Sequence, residues 1–555
     1  MKFSLDYMPS LIKVRDVSLR DGQQLIAGGR LNDEHLRRLL PLYREAHFSM
    51  IEIWGGAVPA LMMKDLGESP WDRLRICAGE LGDISLISGV CRGKYLFEKS
   101  PHPPYVLEAF YKEAFANGMQ VMRLYDPLNN VDNIRESVLL IKQFGGAADG
   151  GLCYAIDAED DEQLPQPKKG FFARLFDTER RPQKTQLVFT DEYFIEKAKE
   201  LEAIGVDMIT LEDLGGLASP DRIYSLMPKL KHAVRTPIGL HTRCAAGFGL
   251  ASTLMAILKG VDLIDANVWW FAGGAAAPPL ELIWLFCRRL EIELDVDLDA
   301  VRKLRKEMES IRMDFAIADD SVSDLPRDFD EALQMMPKGI ESQFQIAIDA
   351  ATERNIPLLL EACSLIEGYF GLPEPTLLPQ FPDLPGGLLE EVRSELADVE
   401  DAPEFDYVLE LAEKVRKDVG MPPLAEPIGT TIADQAVALA LDIRDGRPEY
   451  STITPEFQAL ASGEYGPTPL PVDSSIKIMI EETADDSSDN QETPITETPE
   501  LSGVKLAQTN EEFLLLELNP ELAEAYLRQI RSDNINPDSK PADTDPDIDT
   551  KTPDE

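Results

Sequence analysis

Residues 208–243 read MITLEDLGGLASPDRIYSLMPKLKHAVRTPIGLHTR and contain the clearest structural pattern of the chain. The apolar, β-branched run MITLED is followed by an amphipathic segment that opens with Ser and Pro, which is a typical helix start. A second strand-like run, PIGLHTR, ends the stretch. Strand, helix and strand in this order predict a βαβ unit with two parallel strands.

The number of such runs distinguishes between the α/β folds. Eight strand-like runs, separated by amphipathic segments, fill roughly 270 residues, which is the size of a (β/α)8 TIM barrel. An open doubly wound sheet is the alternative, but it would normally carry a Gly-rich phosphate turn after the first strand, where this chain has RDGQQ. The eight runs are residues 11–17, 50–56, 84–90, 121–126, 151–157, 208–213, 237–243 and 263–270.

The composition predicts three consecutive parts. The TIM barrel is expected over residues 1–289, and a mainly helical domain with Gly and Pro punctuation over residues 290–475. Residues 476–555 are rich in Asp, Glu, Ser, Thr and Pro, which predicts a disordered acidic tail. Within that tail, residues 510–530 have the apolar period of a short helix.

An insertion at residues 158–190 follows the fifth predicted strand and is too long for an ordinary βα loop. Loops at this position project from the catalytic face of a barrel, so a lid or a docking arm is one interpretation. Its basic and Phe residues suit contact with a partner or a membrane surface. The alternative is a surface helix that packs its Phe side chains on the barrel, and both interpretations stay open.

Charge and cysteine usage exclude several classes of protein. The chain has 99 acidic and 54 basic residues, a net charge of -45, which argues against nucleic acid as a partner while leaving small anions possible. Six cysteines without a CxxC pair indicate neither a disulfide framework nor a zinc ribbon. The chain has no signal-peptide pattern and no apolar run long enough for a transmembrane segment, so a cytoplasmic location is expected.

Four polar residues follow or end strands that a barrel brings to one point: Asp21, Glu212, His241 and Arg243. Side chains alternate along a strand, and the last inward residues of several barrel strands converge. Two carboxylates and an imidazole suit a divalent metal. An arginine in the same place would instead pair with the carboxylates and oppose a metal.

Two further arginines lie near the same predicted strand ends. Arg20 precedes Asp21, and Arg123 lies near the end of the fourth predicted strand. A guanidinium offers two parallel N–H donors to a carboxylate or an enolate. Arg20 and Arg123 are therefore predicted to bind an anionic substrate.

A series of motifs resembles successive motifs of biotin-dependent carboxyltransferases. That family includes the α subunit of oxaloacetate decarboxylase, the carboxyltransferase part of pyruvate carboxylase and the 5S subunit of transcarboxylase. The resemblance covers roughly residues 10–475 except the insertion. The motifs include VSLRDGQQ (17–24), IEIWGGAV (51–58), MRLYDPLNNVDN (122–133), ITLEDLGGLASP (209–220), PIGLHTRCAAGFGLA (237–251) and GVDLIDANVWWFAGGAAAPPLE (260–281).

The resemblance implies a barrel that holds a divalent metal beside a keto acid and moves a carboxyl group between biotin and a pyruvate enolate. Asp21 matches a metal ligand of the family, and His241 matches the first histidine of its H-x-H motif. Arg123 matches the arginine that grips the keto acid. Gln24 matches a glutamine near biotin and substrate.

Four positions depart from the family pattern. Glu212 stands where the family has its carbamylated metal-ligand lysine, and Arg243 stands where it has the second histidine. Gln23 replaces another histidine, and Ala275 replaces the threonine that shuttles a proton. One physical interpretation is that Arg243, held by Asp21 and Glu212, substitutes a fixed organic cation for the metal.

Three functions follow as hypotheses. The first is a carboxyltransferase or decarboxylase subunit acting on pyruvate or oxaloacetate. Since the sequence has no A-M-K-M type attachment turn, biotin is not covalently attached to this chain and would come in trans from a biotin carrier or biotin carboxylase subunit. The second is a non-catalytic scaffold or regulatory homologue, and the third an aldol or Claisen-type lyase on the same barrel face. The family also implies a homodimer.

Overall fold

The computed structural model describes residues 9–157, 187–318, 325–376, 384–397, 399–483, 499–501 and 503–535. Eight parallel strands form a closed barrel, because β1 pairs with both β8 and β2 while every other strand pairs with its sequence neighbours. A short ninth strand, Glu293–Leu294, adds to the start of β1. The barrel strands are β1 Leu11–Asp16, β2 Met50–Trp54, β3 Leu86–Cys91, β4 Val121–Tyr125, β5 Ala147–Cys153, β6 Met208–Asp213, β7 Ile238–Thr242 and β8 Leu263–Ala266. The predicted TIM barrel is confirmed.

The fifth strand is displaced from its predicted position. It was expected at residues 151–157 but runs from Ala147 to Cys153 with the sequence AADGGLC. Gly and Asp are disfavoured in strands, so this segment has no strand signal of its own. Asp149 is nevertheless fully buried there, because it accepts a hydrogen bond of 2.6 Å from Arg15 across the barrel.

One long helix follows each strand and packs outside the barrel. Within residues 208–243, the Ser219 side chain accepts a hydrogen bond from the backbone N–H of Arg222, and Pro220 occupies the first turn of the helix. Both features stabilise a helix start. The eight helices are α1 Asp33–Ala46, α2 Pro70–Leu81, α3 Pro104–Ala116, α4 Asp132–Gln143, α5 Asp191–Ala203, α6 Pro220–Ala233, α7 Gly249–Leu258 and α8 Leu280–Leu290.

The barrel interior contains a layer of ion pairs rather than only branched apolar side chains. Arg15 and Arg123 are fully buried and face the carboxylates of Asp149 and Asp265. The shortest contacts are 2.6 Å from Arg15 to Asp149 and 2.5 Å from Arg123 to Asp265. Buried charges are tolerated only when they are paired, so this layer depends on every partner being present.

The helices after the barrel belong to two different hydrophobic cores. Residues from helices α9 Leu298–Ala318, α10 Phe329–Gln334, α11 Lys338–Glu353 and α12 Ile356–Phe370 join the core of the barrel itself. A second core is formed by residues from Leu384 onward together with Tyr95 and Leu128 of the barrel. The helices between Gly386 and Thr483 therefore belong to this second core, whereas the four helices before them belong to the core of the barrel. The helices of the second core are α13 Gly386–Ala397, α14 Phe405–Asp418, α15 Ile428–Arg444, α16 Pro455–Ser462 and α17 Ser474–Thr483.

Part of the expected disordered tail is folded. Helix α18, Asn510–Leu518, and helix α19, Pro520–Ile535, form an antiparallel pair that we name the C-terminal hairpin. Its side chains Leu514, Leu515 and Leu527 are buried in the core of the barrel. The short helix predicted at residues 510–530 is thus present as two helices. The expectation of disorder is corrected for residues 499–501 and 503–535, because their apolar side chains have a surface to cover.

Three further predictions concern the rest of the chain. The interpretations of the insertion at 158–190 fall mostly on residues 158–186, which lie outside the described residues. In the part of the chain that the structure covers, no helix is both long and apolar enough to cross a bilayer. All six cysteines are buried and unpaired.

Candidate active site at the strand ends

A cavity of about 500 Å³ lies at the carboxyl ends of the barrel strands. The barrel, the helical part that begins at Leu384 and the C-terminal hairpin all contribute to its wall. Four of the predicted site residues line it: Arg20, Gln24, Glu212 and Arg243. The other three, Asp21, Arg123 and His241, are fully buried and are not among its described lining residues.

The turn after β1 positions the first two charged residues. Residues Ser18–Gly22 form a single π-helical turn in which Arg20 and Asp21 are buried. Asp16 fixes the start of the turn by accepting a hydrogen bond of 2.8 Å from the Ser18 hydroxyl. At Gly22, a Cβ atom would lie 2.7 Å from the carbonyl oxygen of Phe271, so only glycine allows this approach.

Arg243 holds Asp21. Its Nη2 lies 2.9 Å from Asp21 Oδ1, and its Nη1 donates a 2.9 Å hydrogen bond to the carbonyl of Leu214. Arg20 Nη1 also lies 2.9 Å from Asp21 Oδ1. Burial opposes ionisation of Asp21, but the charges of Arg243 and Arg20 outweigh it and lower the pKa of this carboxyl to about 2. Asp21 is therefore a fixed carboxylate that orients two guanidinium groups.

Glu212 is paired with Arg123 and not with Arg243. Arg123 Nη1 lies 2.5 Å from Glu212 Oε1, and Arg123 Nη2 lies 3.1 Å from Glu52 Oε2. Burial raises the pKa of Glu212 to about 8, although the charge of His241 opposes this rise. The predicted bridge from Arg243 to both Asp21 and Glu212 is thus found at Asp21 only. The guanidinium of Arg123 is enclosed by carboxylates in this arrangement, and its predicted grip on a keto acid stays a prediction.

His241 is enclosed behind the cavity. Its Nδ1 lies 3.0 Å from Asp265 Oδ2, and its Nε2 lies 3.9 Å from Asp21 Oδ1. Burial disfavours the protonated ring, but the hydrogen bond to Asp265 and the charges of Glu212 and Asp21 raise the pKa of His241.

The three expected metal ligands do not fit a divalent ion in this arrangement. Asp21 Oδ2, Glu212 Oε2 and His241 Nε2 are buried and have no hydrogen-bond partner among the described residues. Coordination brings such donors to about 2.0–2.5 Å from one ion and thus close to one another. In the described ranges, only Glu391, Glu395 and Asp434 bring three such atoms within 4.8 Å of one another. The guanidinium of Arg243 supplies the positive charge beside Asp21 instead.

The lining residues that were not predicted from the sequence include Arg92, Tyr125 and Glu426. Arg92 directly follows β3 and lines the cavity, and its Nε has no partner among the described residues. Its Nη2 donates a 3.1 Å hydrogen bond to the carbonyl of Glu98, which holds the side chain in place. Site residues of a barrel lie at the strand ends, and this rule also applies to Arg92 and to Tyr125, which is the last residue of β4. Glu426 comes from the helical part, and no sequence signal links it to the barrel.

Comparison with known proteins gives two family matches and relatives along most of the chain. Residues 185–308 match the HMGL-like family, and residues 381–550 match the conserved carboxylase domain family. These matches confirm the predicted similarity of the chain to biotin-dependent carboxyltransferases. The chain is 25% identical over 531 residues to a pyruvate carboxylase subunit of Methanocaldococcus jannaschii, covering 93% of this chain and 78% of that protein.

A second relative is the methylmalonyl-CoA carboxyltransferase 5S subunit of Propionibacterium freudenreichii subsp. shermanii. It is 24% identical over 493 residues, covering 88% of this chain and 79% of that subunit. Among solved structures, the carboxyl transferase domain of Rhizobium etli pyruvate carboxylase with 3-bromopyruvate superposes with a TM-score of 0.70 at 19% identity. The match covers 95% of this chain and 78% of that domain. This likeness supports the fold of the carboxyltransferase.

Proposed function

We propose that this protein is a carboxyltransferase that binds a 2-oxo acid such as pyruvate or oxaloacetate. It adds a carboxyl group to the acid or removes one from it, with biotin supplied by another polypeptide. The named activities of the relatives support this class of reaction, since they are a pyruvate carboxylase subunit and a methylmalonyl-CoA carboxyltransferase subunit. The partner would be a biotin carrier or biotin carboxylase subunit. A homodimer stays a family-based proposal.

One observation carries the proposal: three guanidinium groups line the same cavity. Arg20, Arg92 and Arg243 line it from three different strand ends, β1, β3 and β7, and Gln24 lines it beside them. Arg20 is also paired with Glu52 and Asp21, whereas the Nε atoms of Arg92 and Arg243 have no partner among the described residues. A 2-oxo acid has a carboxylate and an adjacent carbonyl oxygen, which bind well to the paired N–H donors of arginine. Several donors at one wall therefore suit this substrate class.

The same groups suit the charge that develops in the reaction. When oxaloacetate loses its carboxyl group, the electrons of the broken C–C bond form the enolate of pyruvate, and the carboxyl group goes to biotin or leaves as CO2. A proton then adds to the enolate carbon to give pyruvate. Arg243 is held by Asp21 and by the carbonyl of Leu214, so its donors are oriented before the enolate oxygen gains its charge. Such preorganised donors stabilise the transition state.

A carboxyl transfer assay with purified full-length protein tests the proposal. Oxaloacetate loss is followed with and without free biotin, beside Arg92→Ala and Arg243→Ala variants. Loss of one preorganised donor is expected to lower kcat by about 10²–10³-fold. Among the described residues, the exposed Arg135 pairs only with Asp132, so Arg135→Ala is the matched control and should retain the rate.

The other two hypotheses appear as distinct results of this assay. Turnover that is unaffected by biotin or by a biotin carrier would favour an aldol or Claisen-type lyase. Absence of turnover and of 2-oxo acid binding, together with stable association with carboxylase components, would favour a scaffold and overturn the proposal.

A further inference from the structure

Charged and apolar side chains line the same cavity. The arginines of the proposed 2-oxo acid site lie next to apolar residues, since Arg92 donates a hydrogen bond to the carbonyl of Phe97. The cavity is also lined by Trp54, Met63, Trp71, Phe97, Leu515 and Leu518, and we name these residues the apolar compartment. A ligand bound to the arginines therefore has an apolar surface next to it rather than water alone.

Aromatic side chains form a fixed wall of this compartment. The rings of Trp54 and Trp71 meet edge to face with centroids 5.0 Å apart, and the rings of Trp54 and Phe110 stack at 5.9 Å. Phe97 meets Trp54 edge to face at 5.9 Å. Trp54, Trp71 and Phe110 are at most 1% exposed, so they support the wall from behind, and the partly exposed Phe97 presents its apolar surface to the cavity. Rings packed in this way keep their positions, so the wall exists before a ligand binds.

The C-terminal hairpin supplies the opposite side. Leu515 and Leu518 of α18 line the compartment. Polar contacts attach α18 to helix α3. Tyr105 of α3 donates a 3.0 Å hydrogen bond to Glu517, and Asn117, the residue after α3, donates a 3.0 Å hydrogen bond to Glu511. The compartment is thus completed by a segment far along the chain from the barrel that carries the arginines.

The size of the cavity exceeds what a three-carbon acid fills. Pockets of about 300–1,000 Å³ enclose ligands much larger than pyruvate, and this cavity is about 500 Å³. Covering apolar walls with an apolar substituent removes both from water and favours binding in proportion to the area covered. A small hydrophilic ligand would leave the compartment unfilled.

We infer that the cavity takes a carboxylate with an apolar substituent of branched-alkyl or phenyl size. On the proposed function, which this inference deepens, the ligand is a 2-oxo acid whose substituent fills the compartment while its carboxylate and carbonyl oxygen face the arginines. Leu518 of the hairpin and Ala60 of the barrel both line the cavity, and we infer that they determine the specificity for the substituent.

Binding measurements on the full-length protein test this inference. Calorimetric titrations compare pyruvate with 4-methyl-2-oxopentanoate and phenylpyruvate, three acids of equal charge. The two larger acids are expected to bind at least about tenfold more tightly, because even one methylene in an apolar pocket is worth about 10–200-fold. Two acids without the keto group, 4-methylpentanoate and 3-phenylpropanoate, separate the apolar contribution from that of the carbonyl.

Two variants that fill the compartment supply the structural control. Leu518→Trp fills it from the hairpin and Ala60→Phe from the barrel, so either one suffices if the other fails to fold. Each should lower the affinity for phenylpyruvate at least about tenfold and leave that for pyruvate nearly unchanged. Leu522→Trp is the matched control, since Leu522 is a half-buried hairpin leucine that is not among the lining residues.

The outcomes separate this inference from the proposed function. Equal or tighter binding of pyruvate overturns the inference and leaves the proposed function standing. Tight binding of the apolar acids with or without a keto group, and no turnover of any, supports the compartment and contradicts the proposed function. If Leu518→Trp abolishes the response to biotin but keeps the affinity for phenylpyruvate, the compartment serves biotin and the inference is wrong. Absence of any binding overturns both.

Discussion

Arg243 Nη2 lies 2.9 Å from Asp21 Oδ1, at the place where the family resemblance puts a metal ion between an aspartate and a histidine. Asp21 also accepts from Arg20 at 2.9 Å, so one carboxylate oxygen has two guanidinium partners. A divalent ion at this position would have to displace an arginine whose charge already lowers the pKa of Asp21. The guanidinium of Arg243 thus lies beside Asp21 at the place where the resemblance implies a metal ion.

The first prediction is that the purified protein holds substoichiometric divalent metal and keeps its activity after treatment with a chelator. Elemental analysis by mass spectrometry and a rate measurement with and without chelator check this. Arg243→His removes one guanidinium from Asp21 and adds an imidazole donor, so this variant should bind more Zn²⁺ or Mn²⁺ than the parent. Stoichiometric metal in the unmodified protein would contradict the role of Arg243 as the resident cation.

The second prediction concerns Arg123, which is fully buried among carboxylates. Arg123→Met keeps most of the side-chain volume but removes the guanidinium that pairs with Glu212 and Asp265, whereas Glu52 keeps its ion pair with Arg20. Breaking a buried ion pair on one side costs about 3–5 kcal/mol of unfolding free energy. Chemical denaturation followed by circular dichroism measures this loss.

The control for Arg123 is an arginine of an exposed pair. Arg135 and Asp132 have side chains that are 53% and 77% exposed, so Arg135→Met should leave the unfolding free energy within experimental error. A stability of Arg123→Met equal to that of this control would mean that the buried layer is not held together by its charges.

The barrel could be predicted because its strands and helices have clear periods. Seven of the eight strands lie within a few residues of their predicted positions, and each is followed by the expected helix. The fifth strand, Ala147–Cys153, was displaced because its Gly and Asp residues give no strand signal, and its buried Asp149 has a partner, Arg15, in a strand far away in sequence. Local propensity contains no information about such a partner.

The site was predicted in part. The strand-end rule brought Arg20, Glu212 and Arg243 to one cavity, but it could not decide which arginine pairs with Glu212. That choice depends on depth in the barrel: Arg123 is the third residue of β4 and lies below the strand end, whereas Arg92 follows the end of β3. The apolar compartment was not foreseen, since no sequence period tells where a hairpin docks.

The third prediction concerns the docking of the C-terminal hairpin. Leu527 of α19 is fully buried in the barrel core. Leu527→Ala is expected to destabilise the docked hairpin by about 2–5 kcal/mol, because it leaves a cavity in a packed core. Hydrogen exchange measured by mass spectrometry should therefore speed up in residues 510–535. The exposed Glu521 provides the control, and Glu521→Ala should exchange as the parent does. Unchanged exchange in Leu527→Ala would show that α18 alone holds the hairpin.

The last prediction is a pH dependence of stability that arises at Asp16. This carboxyl is fully buried at the end of β1. Burial raises its pKa to about 7, although hydrogen bonds from Ser18 and Tyr43 oppose the rise. Because the folded pKa lies above the unfolded value of 3.8, the folded protein binds the proton more tightly. The resulting stability is fully present below about pH 4 and is lost as the pH rises through about 7.

The size of this effect follows from linkage, since each pKa unit between the two states is worth about 1.4 kcal/mol. Asp16 alone should therefore lower the unfolding free energy by roughly 4 kcal/mol between about pH 4 and pH 8. Asp16→Asn retains a neutral polar group at every pH, so its stability curve should fall less steeply over this range than that of the parent. Denaturant melts at several pH values measure both curves. Asp132→Asn alters an exposed carboxylate and should follow the parent curve; an Asp16→Asn curve parallel to the parent would mean that Asp16 is ionised throughout.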